Sequence, residues 1–253
     1  MAIGKTKIKF IRSLEQKKYR KEFGLFVAEG PKLVDELYNY FDCHLIAATK
    51  EWLRAHPTYK ADEVYEITQE ELSKASALKT PQQVIALFKQ PTYQYDVREI
   101  NKGLCLALDG VQDPGNLGTI IRLADWFGIE HVFCSFDTAD IFNTKTIQAT
   151  MGGMARVKVY YVCLKELINS LDTNIPIYGT FLDGDDLYDK SLSSRGIIIM
   201  GNEGKGISPE LEQLVTDRLY IPNHPVNRES AESLNVAIAT AITCAEFRRQ
   251  ARG

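Results

Sequence analysis

The chain has 253 residues, 45% of them hydrophobic and 25% charged, with a formal net charge of −3. That length buries a substantial core as one large α/β domain or two smaller ones, and the composition excludes a disordered chain. The longest apolar runs are far too short to span a bilayer, the Lys-rich N-terminus lacks the apolar stretch and cleavage site of a secretory signal, and the slightly acidic balance excludes a uniformly basic nucleic-acid binder, so the cytoplasm is the expected location.

The average charge conceals a basic N-terminus. Lys5, Lys7, Lys9, Arg12, Lys17, Lys18, Arg20 and Lys21 stand against only Glu15 and Glu22 in the first 22 residues, eight minus two giving +6. Such a stripe gains RNA affinity by releasing counterions even on an acidic protein; the competing reading is an ordinary solvated helix face. FGLFVAEG (23–30), HLIAAT (44–49), VYEIT (64–68) and VIALFKQ (84–90) then read as strands with helical patterns between them, predicting a small α/β module over 1–95. Leu33, Val34, Leu37 and Tyr40 recur at helical spacing behind Gly30 and Pro31, and Gln69-Glu70-Glu71-Leu72 opens another helix. From Gln90 to Gly103 polar residues and Pro91 break the pattern, and 96–103 is taken as the linker to a second domain over 104–253.

Past Gly103 the apolar runs lengthen: LCLALD (104–109), HVFCSF (131–136), VKVYYV (157–162), PIYGTF (176–181), GIIIM (196–200) and RLYIP (218–222). Helices fall between several of them. One follows Gly118 with Ile120, Leu123, Ala124 and Phe127 as its stripe; another follows Ser233, a suitable N-cap, with Leu234, Ala237, Ile238, Ala241, Ile242 and Ala245. Strands this apolar, separated by helices, predict a mostly parallel sheet. Arg248 and Arg249 close the last helix where cations meet its dipole favourably.

Several chemistries are disfavoured by spacing. Cys43, Cys105, Cys134, Cys163 and Cys244 are odd in number and contain no C-x-x-C pair, so they read as buried reduced thiols. His44, His56, His131 and His224 are scattered, supporting neither a zinc site nor a histidine dyad, and a metal-independent chemistry follows. Asp183, Asp185 and Asp186 in FLDGDDLYD lack the ligand order of an EF-hand and read as a solvated turn. GNEGKG (201–206) has neither P-loop nor dinucleotide-fingerprint spacing. What remains is a strand ending in a turn where Gly201, Gly204 and Gly206 let a ligand approach peptide groups, or simply a tight turn before a helix opened by Ser208-Pro209.

Three segments, in this order, carry a family resemblance: DPGNLGTIIRLADWFG (113–128), IIIMGNEGKGIS (197–208) and IPNHPVNRESAESLNVAIATAI (221–242). They resemble the three motifs of SpoU-type RNA ribose 2′-O-methyltransferases, of the SPOUT superfamily. The resemblance implies an α/β fold with a C-terminal trefoil-knotted methyltransferase domain. FVAEGPKLVDEL (26–37), by its place in the chain, resembles the ribosomal-protein-like RNA-binding domain that many members carry ahead of it. It also implies S-adenosylmethionine as cofactor, held by Met200, Gly201, Asn202, Gly204 and Gly206 with Ile221, Pro222, Ser233, Leu234 and Asn235.

At the reacting end the resemblance places Arg122 and Asn116, with Glu203, Ser233 and Asn235 around ribose and cofactor. Arg122 is either a general base or, physically easier for a guanidinium, a clamp on ribose or phosphate, and Glu203 is a second candidate proton acceptor. The implied substrate is RNA, ribosomal in first place, acted on by a homodimer joined through the knotted domain, with no membrane and no metal involved. Transfer RNA is the alternative substrate, and a non-catalytic RNA-binding or assembly protein the alternative class. The third motif departs from the family pattern: Asn223 stands where methionine is usual, and HPVNRESA is a glycine-free spacer in which Arg228 meets RNA or solvent.

Overall fold

Of the 253 residues, the computed structural model describes 3–225 and 233–251. In chain order the elements are α1 (Lys5–Ser13), α2 (Lys17–Phe23), β1 (Leu25–Glu29), α3 (Pro31–Tyr38), β2 (Cys43–Ala48), α4 (Lys50–Ala55), β3 (Glu63–Glu66), α5 (Gln69–Ala75) and β4 (Val84–Lys89). They continue with α6 (Val97–Ile100), β5 (Leu104–Leu108), α7 (Pro114–Trp126), β6 (His131–Cys134), α8 (Thr144–Thr150), β7 (Lys158–Tyr161) and α9 (Leu164–Asn169). Last come β8 (Ile177–Asp186), β9 (Gly196–Met200), α10 (Pro209–Glu212), β10 (Asp217–Tyr220) and α11 (Val236–Gln250). Two units result: Met1–Thr92 with Asp140–Ala155, and Tyr93–Ala139 with Arg156–Gly253.

In the first unit a four-stranded mixed sheet runs β1-β4-β2-β3, with only β2 and β3 parallel. All five β1 residues are buried, as an apolar run sandwiched between helices requires. Ile11, Leu14, Leu45, Leu72 and Leu87 fill one side of the sheet. Phe26, Phe41 and Phe88 form an aromatic cluster, and Phe142 joins it by stacking on Phe26 at 5.2 Å, which is why a segment from the middle of the chain belongs to this unit. Pro31 opens α3 as expected, but the helix stops before Tyr40, which is 53% exposed. A reciprocal capping box between Thr68 and Glu71 starts α5.

The second unit is built on a six-stranded sheet, β10-β8-β9-β5-β6-β7, parallel throughout. Every residue of the central strands β5 and β9 is buried. Ile197, Ile198 and Ile199 are each 0% exposed, and each such burial contributes about 1.5–3 kcal/mol. The 96–103 stretch contains the short helix α6, whose Ile100 enters the core of this unit.

Three local expectations are corrected. β8 runs through Asp183, Asp185 and Asp186, so the acidic segment lies on a strand and not in a turn. Its far half pairs with β10 past a register shift between Arg218 and Leu219, where the backbone approaches so closely that a Cβ on Gly184 would sit 2.7 Å from Leu219 C. α7 starts at Pro114, before Gly118, because the Asp113 carboxylate caps the Asn116 N–H. α11 is capped by Asn235 and not by Ser233, and it buries Val236, Ala237, Thr240, Thr243, Cys244 and Phe247. Leu234 and Ile238 of the expected stripe are 49% and 53% exposed. Thr240 can occupy the core face because its hydroxyl returns to Val236 O one turn back at 2.7 Å, whereas the Thr243 hydroxyl has no partner among the described residues.

Candidate functional site

A parallel sheet brings the carboxyl ends of its strands to one edge, where ligands of α/β proteins bind. At that edge the middle of β8, the ends of β9 and β10, the turn after β9 and the start of α11 enclose a cavity of about 460 Å³. Phe181, Leu182, Ile207, Leu219, Leu234 and Val236 give it apolar walls, and Gly201 to Gly206 form a polar, backbone-rich side.

The turn after β9 owes its shape to its glycines and to Asn202. A Cβ on Gly201 would lie 2.3 Å from Gly206 C and 2.4 Å from Ile207 N, so no other residue fits. Asn202 and Gly206 exchange backbone hydrogen bonds of 3.0 and 2.9 Å, and Gly206 adopts φ 72°. The Asn202 Oδ1 accepts from the Gly204 and Lys205 N–H groups, while its Nδ2 donates to Gly110 O at 2.7 Å. Asn202 therefore holds the loop's shape and ties it to the segment after β5, leaving backbone edges to face the cavity.

The three sequence motifs meet in one chain of hydrogen bonds. Asn116 Nδ2 donates to Glu203 Oε1 at 2.7 Å, and Asn116 Oδ1 accepts from Asn235 Nδ2 at 3.0 Å. Asn235 Oδ1 in turn accepts from the Ala237 and Ile238 N–H groups, fixing the start of α11. Met200, Gly201, Asn202, Glu203, Gly204, Gly206, Ile221, Ser233 and Leu234, all singled out from the sequence, line the cavity; Pro222 and Asn235 are not among its lining residues. Arg122 is brought near none of these by a bond: it is exposed on α7, with no hydrogen bond or ion pair among the described residues. The spacer around Arg228, residues 226–232, lies outside the described residues.

Sequence reasoning missed the β8 wall. Phe181 lines the cavity and carries the Arg218 guanidinium over its ring, 3.7 Å from the centroid. Arg218 is held by Glu212 at 2.6 Å and Asp183 at 2.5 Å, and these bonds, Glu212 first, raise its pKa above the ordinary value. PIYGTF reads as a plain strand, and Phe181 sits in the middle of β8, so nothing local in the sequence marked it.

The basic N-terminus divides. Lys5, Lys9, Lys17, Lys18 and Lys21 are exposed, whereas Lys7 pairs with Glu63 at 2.8 Å and Arg12 with Glu15 at 3.1 Å. Arg20 departs from the expected stripe altogether. It is 2% exposed, donating to Leu14 O at 2.9 Å, Glu15 O at 2.6 Å and Asp140 at 2.7 Å, so it is part of the core.

The cavity fits S-adenosylmethionine. Its volume falls within the roughly 300–1,000 Å³ of small-molecule sites. Its apolar walls suit an adenine, its peptide edges suit ribose and adenine polar atoms, and among the described residues Lys205 is the one cation lining it, a poor match for a polyphosphate. All five cysteines are free, and burial pushes the Cys43, Cys105 and Cys244 thiols up to about 12, away from the reactive thiolate.

Comparison with known proteins gives the chain's family. A model of the SpoU rRNA Methylase family matches residues 103–245, and one of an MRM3-like substrate binding domain matches residues 5–86. The chain is similar to the 23S rRNA (guanosine(2553)-2′-O)-methyltransferase RlmP of Bacillus subtilis, 32% identical over 93% of each chain. Among solved structures it is similar to a TrmH-family protein from Porphyromonas gingivalis, with 43% identity and TM-score 0.88 over 99% of this chain and 100% of that one. It is likewise similar to an AdoMet-bound rRNA methyltransferase from Sinorhizobium meliloti, with 32% identity and TM-score 0.85 over 98% and 96%.

Proposed function

Because the chain belongs to the SpoU family of RNA methyltransferases, within the SPOUT superfamily, we propose that it carries a methyl group from S-adenosylmethionine to a ribose 2′-hydroxyl of ribosomal RNA. The observation that carries this is the Glu203–Asn116–Asn235 chain of hydrogen bonds, which gathers all three motifs at the rim of the cavity. The bound cofactor supplies an electrophilic methyl group on a sulfonium, which needs no metal to activate it. Met200, Gly201, Asn202, Gly204 and Gly206, with Ile221, Pro222, Ser233, Leu234 and Asn235, hold it in this reading.

The protein's own task is to align and deprotonate the ribose hydroxyl, and alignment of this kind is worth up to about 7–11 kcal/mol. Glu203 accepts the hydroxyl proton on Oε2, since Oε1 is occupied by Asn116. Arg122 clamps the target's ribose or phosphate and lowers the cost of the developing negative charge, because a guanidinium is not deprotonated in proteins. Ser233, which lines the cavity, orients the ribose.

We assign RNA binding to the module over 1–95, with Lys5, Lys9, Lys17, Lys18 and Lys21 meeting phosphates; the match to a substrate binding domain supports it. A homodimer formed through a knotted C-terminal domain supplies Arg122 across the interface. Support comes from the exposed Trp126 at 83%, Leu234 and Ile238, and from the position of Arg122 on the Trp126 face of α7. The cytoplasm, where such RNA is found, is the proposed location.

The test is incubation with methyl-labelled S-adenosylmethionine and, separately, unmodified 23S ribosomal RNA and transfer RNA, followed by mapping of the labelled nucleotide. Label on a ribose of ribosomal RNA is expected. Label on transfer RNA alone would replace the substrate, and label on neither, despite measured cofactor binding, would favour the non-catalytic class.

A further inference from the structure

A second cavity, of about 260 Å³, lies wholly within the first unit and shares no residue with the three motifs. Three segments wall it: the turn from β1 into α3, the loop between α5 and β4, and the end of α8. One residue fastens them together. The Glu29 carboxylate, 5% exposed, accepts from Ser76 Oγ and from Ala77 N at 3.1 Å, which holds the second segment to the first. The Glu29 carbonyl accepts from Gln148 Nε2 at 2.9 Å, which holds the third. Gly30 N donates to Val84 O at 2.9 Å, closing the base. The walls are thus set before any ligand arrives, which reduces the ordering a ligand must impose.

The lining has two kinds of surface. Leu33, Leu78 and Met151 present apolar area, with Met151 46% exposed. Lys32, Thr80 and Gln82 stand exposed around it, and none of these three side chains has a hydrogen bond or ion pair among the described residues. An apolar surface takes the face of a base, an amide offers a base edge both a donor and an acceptor, and an ammonium meets a phosphate. The volume lies below the roughly 300 Å³ at which drug-sized sites begin, which suits one base and excludes a helical stem.

We propose that this cavity takes a single unpaired nucleotide of the RNA substrate, with Gln82 and Thr80 at the base edge and Lys32 at its phosphate. The proposal rests on the reading of the chain as an RNA methyltransferase and adds to it a site of recognition separate from the site of methylation. Gln148 and Glu29 act by holding the walls; Lys32, Thr80 and Gln82 touch the RNA.

The experiment measures binding of a fluorescent, unmodified 23S rRNA fragment that the wild-type protein methylates, using the full chain and the variants Lys32→Ala and Thr80→Val/Gln82→Ala. Thermal melting and S-adenosylmethionine affinity serve as controls. The double variant is expected to bind the RNA about tenfold more weakly with an unchanged salt dependence, while Lys32→Ala lowers the salt slope by about 0.7–0.9. Cofactor affinity should stay as in the wild type. With 4-thiouridine in the RNA, cross-links should fall on residues 78–82 or on Met151. RNA affinity within twofold of wild type in the double variant, or cross-links confined to other residues, would overturn the proposal while leaving the enzymatic reading intact. A wild-type protein that neither binds nor methylates RNA would remove both.

Discussion

Asn116 Nδ2 lies 2.7 Å from Glu203 Oε1, although 87 positions separate the two residues in the chain. The same Asn116 amide accepts from Asn235, 119 positions away, so one side chain joins both later motifs. The amide suits this place because it donates from its nitrogen and accepts on its oxygen, on opposite sides of one planar group.

Asn116→Ala should therefore weaken cofactor binding as well as turnover. Each lost bond is worth about 0.5–1.5 kcal/mol, more where the partner is charged, so a fall of about tenfold in S-adenosylmethionine affinity is expected by calorimetry. Glu203→Ala and Asn116→Ala together should lose less than the sum of the two alone. Strictly additive losses would mean that the chain does not act as a unit.

Gly201→Ala should reduce cofactor affinity by at least about tenfold, more than 1.4 kcal/mol, with far-ultraviolet circular dichroism unchanged. The added carbon would sit 2.3 Å from Gly206 C, forcing the turn open. Gly204→Ala is the control: its nearest neighbour would be Asn202 Oδ1 at 3.7 Å, and binding should survive.

Arg20 and its neighbouring lysines should separate cleanly. Asp140→Ala leaves the Arg20 guanidinium buried without its counter-charge and should cost about 3–5 kcal/mol in denaturant unfolding. Lys17→Ala, Lys18→Ala and Lys21→Ala should leave stability within about 0.5 kcal/mol while each lowers the salt slope of RNA binding by about 0.7–0.9. Equal stability of Asp140→Ala and wild type would contradict the structural role given to Arg20.

Arg122→Ala should retain S-adenosylmethionine binding and lose methylation by about a hundredfold or more, the scale of losing a charged group at the reacting centre. If Arg122 serves the partner's site, mixing Arg122→Ala with Asn235→Ala protein should restore activity in heterodimers that hold one intact site. Absence of any recovery, with subunit exchange demonstrated, would place Arg122 at its own chain's site.

Burial raises the Glu29 pKa above its ordinary 4.5, against the lowering hydrogen bonds from Ser76 and Ala77. The folded state thus holds this proton more tightly than the unfolded one. Its contribution to stability is full below about pH 4.5 and is lost as pH rises through the folded pKa. Glu29→Gln keeps an acceptor for Ala77 N but cannot ionise, so its melting temperature should fall less than that of wild type between pH 4 and pH 8. Parallel pH profiles for the two proteins would contradict the raised pKa.

Much of this protein was legible in its sequence because the relevant signals are local. The four strands of the first sheet and the apolar runs of the second each appear where the residues place them, as does Pro31 at the start of α3. The order of the three motifs pointed to the family, and Gly201 to Gly206 to a turn open to a ligand. The misread face of α11 shows where locality fails: the periodicity of Leu234 and Ile238 is real, yet Thr240 and Thr243 take the buried side, Thr240 with its hydroxyl on Val236 O and Thr243 with no partner for its hydroxyl among the described residues, and an exposed leucine carries no mark of its exposure. Arg20 fails for a related reason, because one arginine in a basic run is indistinguishable from its neighbours until Asp140 arrives from 120 positions away.

The chain thus carries in its local pattern most of the strands, the α/β class and the three motifs that mark the family. Which groups meet is settled by the folded chain alone: Phe181 under Arg218, Asn116 between Glu203 and Asn235, and Glu29 fastening three walls of a second cavity. Helical and strand periods are set by backbone geometry within a few residues and leave their pattern in the chain. Contacts between distant segments depend on sheet order and on how each loop returns, and a hydrogen bond across a hundred residues leaves no periodicity to read.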